Sequence, residues 1–132
     1  MSRYHLNIVR WSALSATRAQ QGDWVAWAQG GRADEPDAPV KVDLPQVPAM
    51  LRRRLTAMGK RALWCAYQVL DPDVRPIATV FSSQHGEVEQ TLKLLTDLAS
   101  GQSLSPTGFS LSVHNAIGGI YSMAGKETGF IT

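Results

Sequence analysis

Residues 104–119 read LSPTGFSLSVHNAIGG, and the way this stretch folds decides how the chain is built. Ser105 followed by Pro106 is a helix start. The serine hydroxyl can accept from a backbone N–H of the first turn, and the proline ring presets φ where no donor is needed. From there Phe109, Val113, Ala116, Ile120 and Met123 recur at helical spacing and predict an apolar face turned to a sheet. Beside it runs a small, polar stripe of Ser112, Asn115, Gly119 and Ser122. Each glycine weakens a helix by about 1 kcal/mol relative to alanine. Gly108, Gly118 and Gly119 are therefore expected where another backbone comes close. The spacing predicts one helix over 109–123, with one face on the core and the other on a second chain.

Working outward, Pro76 to Phe81 is an apolar run suited to a buried central strand. Residues 82–86 turn into a helix from Glu87 to Ala99. Its stripe is Val88, Leu92, Leu95 and Ala99, widened by Thr91, Leu94 and Leu98. Glu87 and Glu89 suit its positive end, and Gly101 stops it. Further upstream, Met50 to Leu70 predicts a long helix with Leu51, Leu55, Met58, Ala62, Cys65 and Val69 inward, ended by Asp71-Pro72-Asp73. Arg32 to Pro48 carries four prolines and reads as an extended loop. Val40, Val42, Leu44 and Val47 in that loop still require burial. Tyr4 to Trp11 reads as a strand. Trp24 to Gln29, between Asp23 as cap and Gly30 as stop, reads as a short helix anchored by Trp24 and Trp27. Gly125 to Gly129 is a turn, and Phe130-Ile131-Thr132 opens a further strand. The expected architecture is α/β, a single domain over residues 1–132 with a mixed sheet and packed helices.

Composition narrows the function. The chain has 132 residues, 44% of them apolar and 18% charged, so it can build a core and is not a disordered segment. A net charge of +2 is too small to argue for nucleic acid or an anionic membrane. Cys65 is the one cysteine, which excludes an internal disulfide or a cysteine metal cage and fits a reducing compartment. The polar N-terminus has no signal-peptide core, and no apolar run is long enough to span a bilayer. The cytoplasm is the expected location.

Few residues carry chemistry by pattern alone. Cys65 is mid-helix and in register with core positions, which reads as a core cysteine rather than a nucleophile. His5, His85 and His114 follow no metal spacing. The Gln84-His85-Gly86 turn lies between strand and helix, where an anion could sit on the helix N-terminus. It lacks the nucleophile-elbow and Walker patterns. Arg52, Arg53 and Arg54, with Lys60 and Arg61 nearby, form a basic cluster that reads as a solvated face or as a surface for an acidic partner.

Three stretches carry a resemblance: Met50 to Leu55, Val80 to Glu87, and Leu104 to Gly119, the last being the most specific. Trp24 to Trp27 fits more weakly. Together they resemble the N-terminal segment of β-ketoacyl synthase-like proteins, nearest to the chain-length-factor-like homologues of aryl polyene and xanthomonadin-type pigment clusters. The resemblance implies a thiolase-like layered fold of two similar halves, of which these residues would be the first. It implies a cysteine nucleophile following the Gly125–Gly129 turn and two histidines in the second half. Cys65 does not match that position, so no catalytic residue carries over and no metal is implied. The expected role is a non-catalytic subunit, in a homo- or heterodimer with a ketosynthase. Phosphopantetheine would arrive on an acyl carrier protein through that partner rather than bind directly. Binding or interface candidates are His85, Gly86, Ser112, His114, Asn115 and Gly119, with Arg52, Arg53 and Arg54 as a partner patch. The alternatives are a truncated part of a longer ketosynthase homologue and a small anion-binding module built on the Gln84-His85-Gly86 turn.

Overall fold

Leu63 is fully covered (0% exposed), and the core gathers around it from Leu44, Val47, Leu55, Ile120 and Tyr121. The computed structural model describes residues 5–31, 39–71, 73–74, 78–125 and 130–131. Its elements are α1 (Gln21–Ala28), α2 (Ala49–Arg52), α3 (Ala57–Val69), β1 (Ala78–Thr79), α4 (Val88–Ala99), α5 (Pro106–Leu111), α6 (Ala116–Gly125) and β2 (Phe130–Ile131). β1 and β2 pair in parallel, Ala78 opposite Phe130 and Thr79 opposite Ile131. A parallel pair needs a long crossover, and α4, α5 and α6 supply it. α3 packs on α6, and α4 packs on α5.

The proline-rich loop behaves as its sequence indicates where it is described. Leu44 and Val47 are buried, and Val42 packs against the core. Pro36 and the rest of 32–38 lie outside the described residues.

The expected helix over Met50–Leu70 is two helices. Between them Thr56 caps α3, its hydroxyl accepting from the Gly59 N–H at 3.0 Å. The break resets the helical phase. Gly59 and Leu63 are the buried positions of α3, whereas Met58, Ala62 and Cys65 are half-buried.

The expected helix over 109–123 also divides. Ser105 caps α5 as read, accepting from the Gly108 N–H at 3.1 Å. Ser112 then turns its hydroxyl back onto the Phe109 carbonyl at 2.8 Å, a local bond that competes with the helix ladder. The chain turns through 112–115 before α6 begins. The stripe expected on the core is therefore split: Ile120 is buried, whereas Phe109 is 62% exposed and Val113 and Met123 also face out.

The sheet is the largest correction. Of the strand read over Pro76–Phe81, Ala78 and Thr79 pair, Val80 is exposed, and Pro76 and Ile77 lie outside the described residues. Residues 5–11 of the strand read over Tyr4–Trp11 have no regular structure, and Leu6 is 93% exposed. A strand is stable only as part of a sheet, and among the described residues no ladder reaches this segment. The β1–β2 pair is the only sheet among the described residues.

In α1 the helix begins three residues early, at Gln21, so Asp23 lies in the first turn rather than at the cap. Trp24 donates its indole N–H to the Ala13 carbonyl at 3.0 Å and meets Trp27 edge-on at 5.8 Å. Trp27 is exposed, so of the two tryptophans Trp24 is the anchor, joined by Gln21, whose side-chain amide donates to the Trp11 carbonyl at 2.7 Å.

Because Leu63 is fully buried within this small core, Leu63→Ala is expected to lower unfolding free energy by about 2–5 kcal/mol. Urea titration followed by tryptophan fluorescence checks this.

Candidate functional site

Two turns meet beside α6. Gly86, entering α4, has φ +55, a conformation that glycine adopts without Cβ strain. Its N–H donates to the Ser83 hydroxyl at 3.0 Å. A Cβ at this glycine would lie 3.4 Å from Nδ1 of His114, so the turn before α4 and the turn before α6 are in contact through that imidazole.

His114 and Phe81 form the shared wall of two clefts. One, of about 140 Å³, runs between Met58, Ala62, Ser82, Ser83, Gly86, Glu87 and Ile117. The other, of about 440 Å³, runs along α6 and is lined by Asn115, Gly118, Gly119, Ser122 and Ile131. Gly118 is buried here, and a Cβ on it would meet Ile131 at 3.1 Å and Phe81 at 3.4 Å. Gly119 differs: a Cβ there would find open space.

Of the sequence candidates, the structure thus brings His114, Asn115, Gly119 and Ser122 into one cleft, with Gly86 against its wall. His85 and Gln84 are exposed on the turn before α4. Ser112 is outside the cleft, committed to the Phe109 carbonyl. Phe81 and Ile131 were not foreseen as cleft residues. They arrive there because β1 and β2 pair across the chain, which local patterning does not reveal.

Glu87 was also missed as a tie. It is buried (6% exposed) and accepts from the Thr56 hydroxyl at 2.9 Å. A carboxylate already occupies the N-terminal end of α4, with Glu89 in its first turn. Both repel an incoming anion. Among the described residues, no group of three or more histidines, cysteines or acids could hold a metal ion.

The basic cluster separates into two roles. Arg52 is half-buried and donates to the Leu44 carbonyl at 3.0 Å, holding the proline-rich loop to α2. Arg53 and Arg54 are exposed. Residues 44–70 contain five cations and no acid, and the one ion pair among the described residues, Arg10 with Asp71 at 2.8 Å, lies elsewhere. That pair flanks an open groove of about 590 Å³ between residues 7–10 and the end of α3, with Ile8, Val9, Val69 and Leu70 as apolar walls.

Cys65 is half-buried in α3. Burial pushes its thiol up from the ordinary value, and a hydrogen bond with the Ser12 side chain offsets part of that rise. The raised value favours the neutral thiol in the folded state. Its contribution to stability is complete below the unfolded thiol value, about pH 8.5, and is lost as pH rises through the folded value. Alkylation at pH 8 is expected to be slower in the native protein than in denaturant, a difference that mass spectrometry of iodoacetamide adducts reads directly. Faster labelling of the native protein would mark an activated thiolate.

Residues 24–132 match the family model of the β-ketoacyl synthase N-terminal domain. No curated protein matches the chain. Among solved structures, it is similar to a chain of the complex of the ketosynthase ApeO with its chain length factor ApeC from Xenorhabdus doucetiae, with 30% identity and a TM-score of 0.81. The match covers 98% of this chain and 54% of that one, so this chain spans about half the length of the solved relative.

Proposed function

The chain belongs to the β-ketoacyl synthase N-terminal-domain family, and on that premise we propose that it acts as a non-catalytic, chain-length-factor-like subunit paired with an active ketosynthase. The pathway class is acyl-chain elongation of the fatty acid and polyketide type, with aryl polyene pigments as the expected product. The observation that carries this reading is the open cleft along α6, where Asn115, Gly119 and Ser122 stand beside the apolar Phe81 and Ile131 in a chain similar to a ketosynthase–chain-length-factor complex. Small residues on a helix let a partner's backbone approach, and Asn115 can satisfy its polar groups.

The state of Cys65 supports a non-catalytic role. A thioester-forming cysteine must be available as thiolate. Cys65 is shifted toward the neutral thiol and does not line the cleft. In this reading the partner holds the nucleophile and carries out the decarboxylative condensation of an acyl thioester with a malonyl thioester. The phosphopantetheine arm of an acyl carrier protein delivers the malonyl group. Arg53 and Arg54, exposed and without an ion-pair partner among the described residues, suit the acidic face of such a carrier. A second reading, a longer ketosynthase homologue of which these residues are one part, draws on the 54% coverage of the solved relative. The anion-binding module is disfavoured by Glu87 and Glu89 at the α4 N-terminus.

Two measurements test the proposal. Incubated with acyl and malonyl carrier proteins, the purified chain should release no condensation product; a product that disappears in Cys65→Ala would overturn the non-catalytic role. Gly119→Leu fills open space, so it should weaken binding to a ketosynthase by roughly tenfold or more while leaving the melting temperature unchanged. Titration calorimetry with an active aryl polyene ketosynthase, alongside thermal melts, reads both. Unchanged affinity would remove the α6 cleft from the interface.

A further inference from the structure

Glu87 carries a buried charge that the domain compensates only in part. It is 6% exposed and occupies the N-cap position of α4, yet its side chain makes no capping bond to that helix. Instead Oε1 accepts from the Thr56 hydroxyl at 2.9 Å. Among the described residues this is the only hydrogen bond to the carboxylate, and the one ion pair, Arg10 with Asp71, lies elsewhere. The N-terminal end of α4 favours the charge but gives Oε2 no donor. Buried charges are as a rule paired, because the water they lose must be replaced.

The same residue lines the cleft of about 140 Å³ beside α3, and no lysine or arginine lines it with Glu87. That volume is several times what one water needs. The cleft is otherwise acceptor-rich and apolar. The Ser83 hydroxyl oxygen, which already accepts from the Gly86 N–H, and a neutral His114 nitrogen can each accept from a ligand. Met58 and Phe81 add polarisable walls that favour a nearby cation. The alternatives fit less well. Glu87 and Glu89 repel an anion, a hydrocarbon leaves Oε2 bare, and a metal ion lacks its ligand set among the described residues.

We infer that this cleft binds a primary ammonium group on a short alkyl stem. The ammonium donates to Glu87 and neutralises it, and the stem lies against Met58 and Phe81. A free amine and the end of a lysine side chain present the same group. This site is not the α6 cleft, and the inference does not rest on pairing with a ketosynthase.

The test is an NMR titration of the isotope-labelled chain with butylammonium chloride at constant ionic strength. Saturable shifts should centre on Gly86, Glu87 and His114. Butanol, which has the same stem without the charge, should bind at least tenfold more weakly. Glu87→Gln keeps an oxygen for Thr56 but removes the charge, and should weaken butylammonium binding at least tenfold. Ala62→Leu fills the cleft from its half-buried wall and should abolish binding with Glu87 intact; melting curves establish that each variant is folded. Acetyl-lysine methylamide, with its free side-chain amine, separates the two sources. Its binding assigns a lysine-compatible site, and binding of butylammonium alone assigns a free amine. The inference is overturned if butylammonium gives no saturable shift, if butanol binds as well, or if a folded Glu87→Gln or Ala62→Leu chain binds like wild type.

Discussion

The Thr56–Glu87 contact holds the arrangement of helices on which the rest depends. Thr56 accepts from the Gly59 N–H and so starts α3, and its proton goes to the Glu87 carboxylate. Hydrogen bonds to charged groups contribute about 1.5–3 kcal/mol, and an unpartnered buried carboxylate is strongly destabilising. The pair therefore ties the N-terminal ends of α3 and α4 together. Glu87 follows Gly86, and Gly86 packs against His114. One bond thus sets the position of the turn before α4, the imidazole, and the shared wall of both clefts.

Features that rest on local chemistry were legible in the sequence. Ser105 caps α5, Gly101 at φ +68 stops α4 just past Ala99, and the loop residues Leu44 and Val47 are buried, because capping, helix termination and the burial of isolated aliphatics act over a few residues. The two long helices were not legible as pairs. Apolar spacing continues smoothly through Arg53–Thr56 and through Ser112–Asn115, and only the competing bonds of Thr56 and Ser112 reveal the breaks. The strands were over-read for a different reason. β-formers in Leu6 to Val9 and at Val80 indicate that a strand is possible, but ladder pairing is a property of neighbours.

The candidate site was half visible. The stripe of Asn115, Gly119 and Ser122 could be seen because Gly119 and Ser122 lie on α6 and Asn115 immediately precedes it. Phe81, Ile131 and Glu87 reach the same region from distant parts of the chain, and nothing in their own sequence context marks them. The arginine cluster shows the same limit. Three consecutive identical residues look equivalent until the fold gives Arg52 a carbonyl to hold and leaves its two neighbours in solvent.

The distribution of apolar surface bears on all of this. Among the described residues, seven apolar side chains are buried, while Leu6, Ile8, Val9, Leu92, Leu95 and Phe109 stand largely in water. Isolated exposed leucines are ordinary. A contiguous seam along one helix and an uncovered extended segment are not, since soluble monomers rarely leave such patches open. The strong amphipathicity of α4 has a bearing too. Had its apolar face been spent on the domain's own core, the outer side would be polar. Instead Leu94 is the one buried residue of α4, and Leu92 and Leu95 stand more than half exposed. A domain with so small a core gains stability from whatever binds its folded form, so covering α4 or the α6 cleft would strengthen the same fold that positions them.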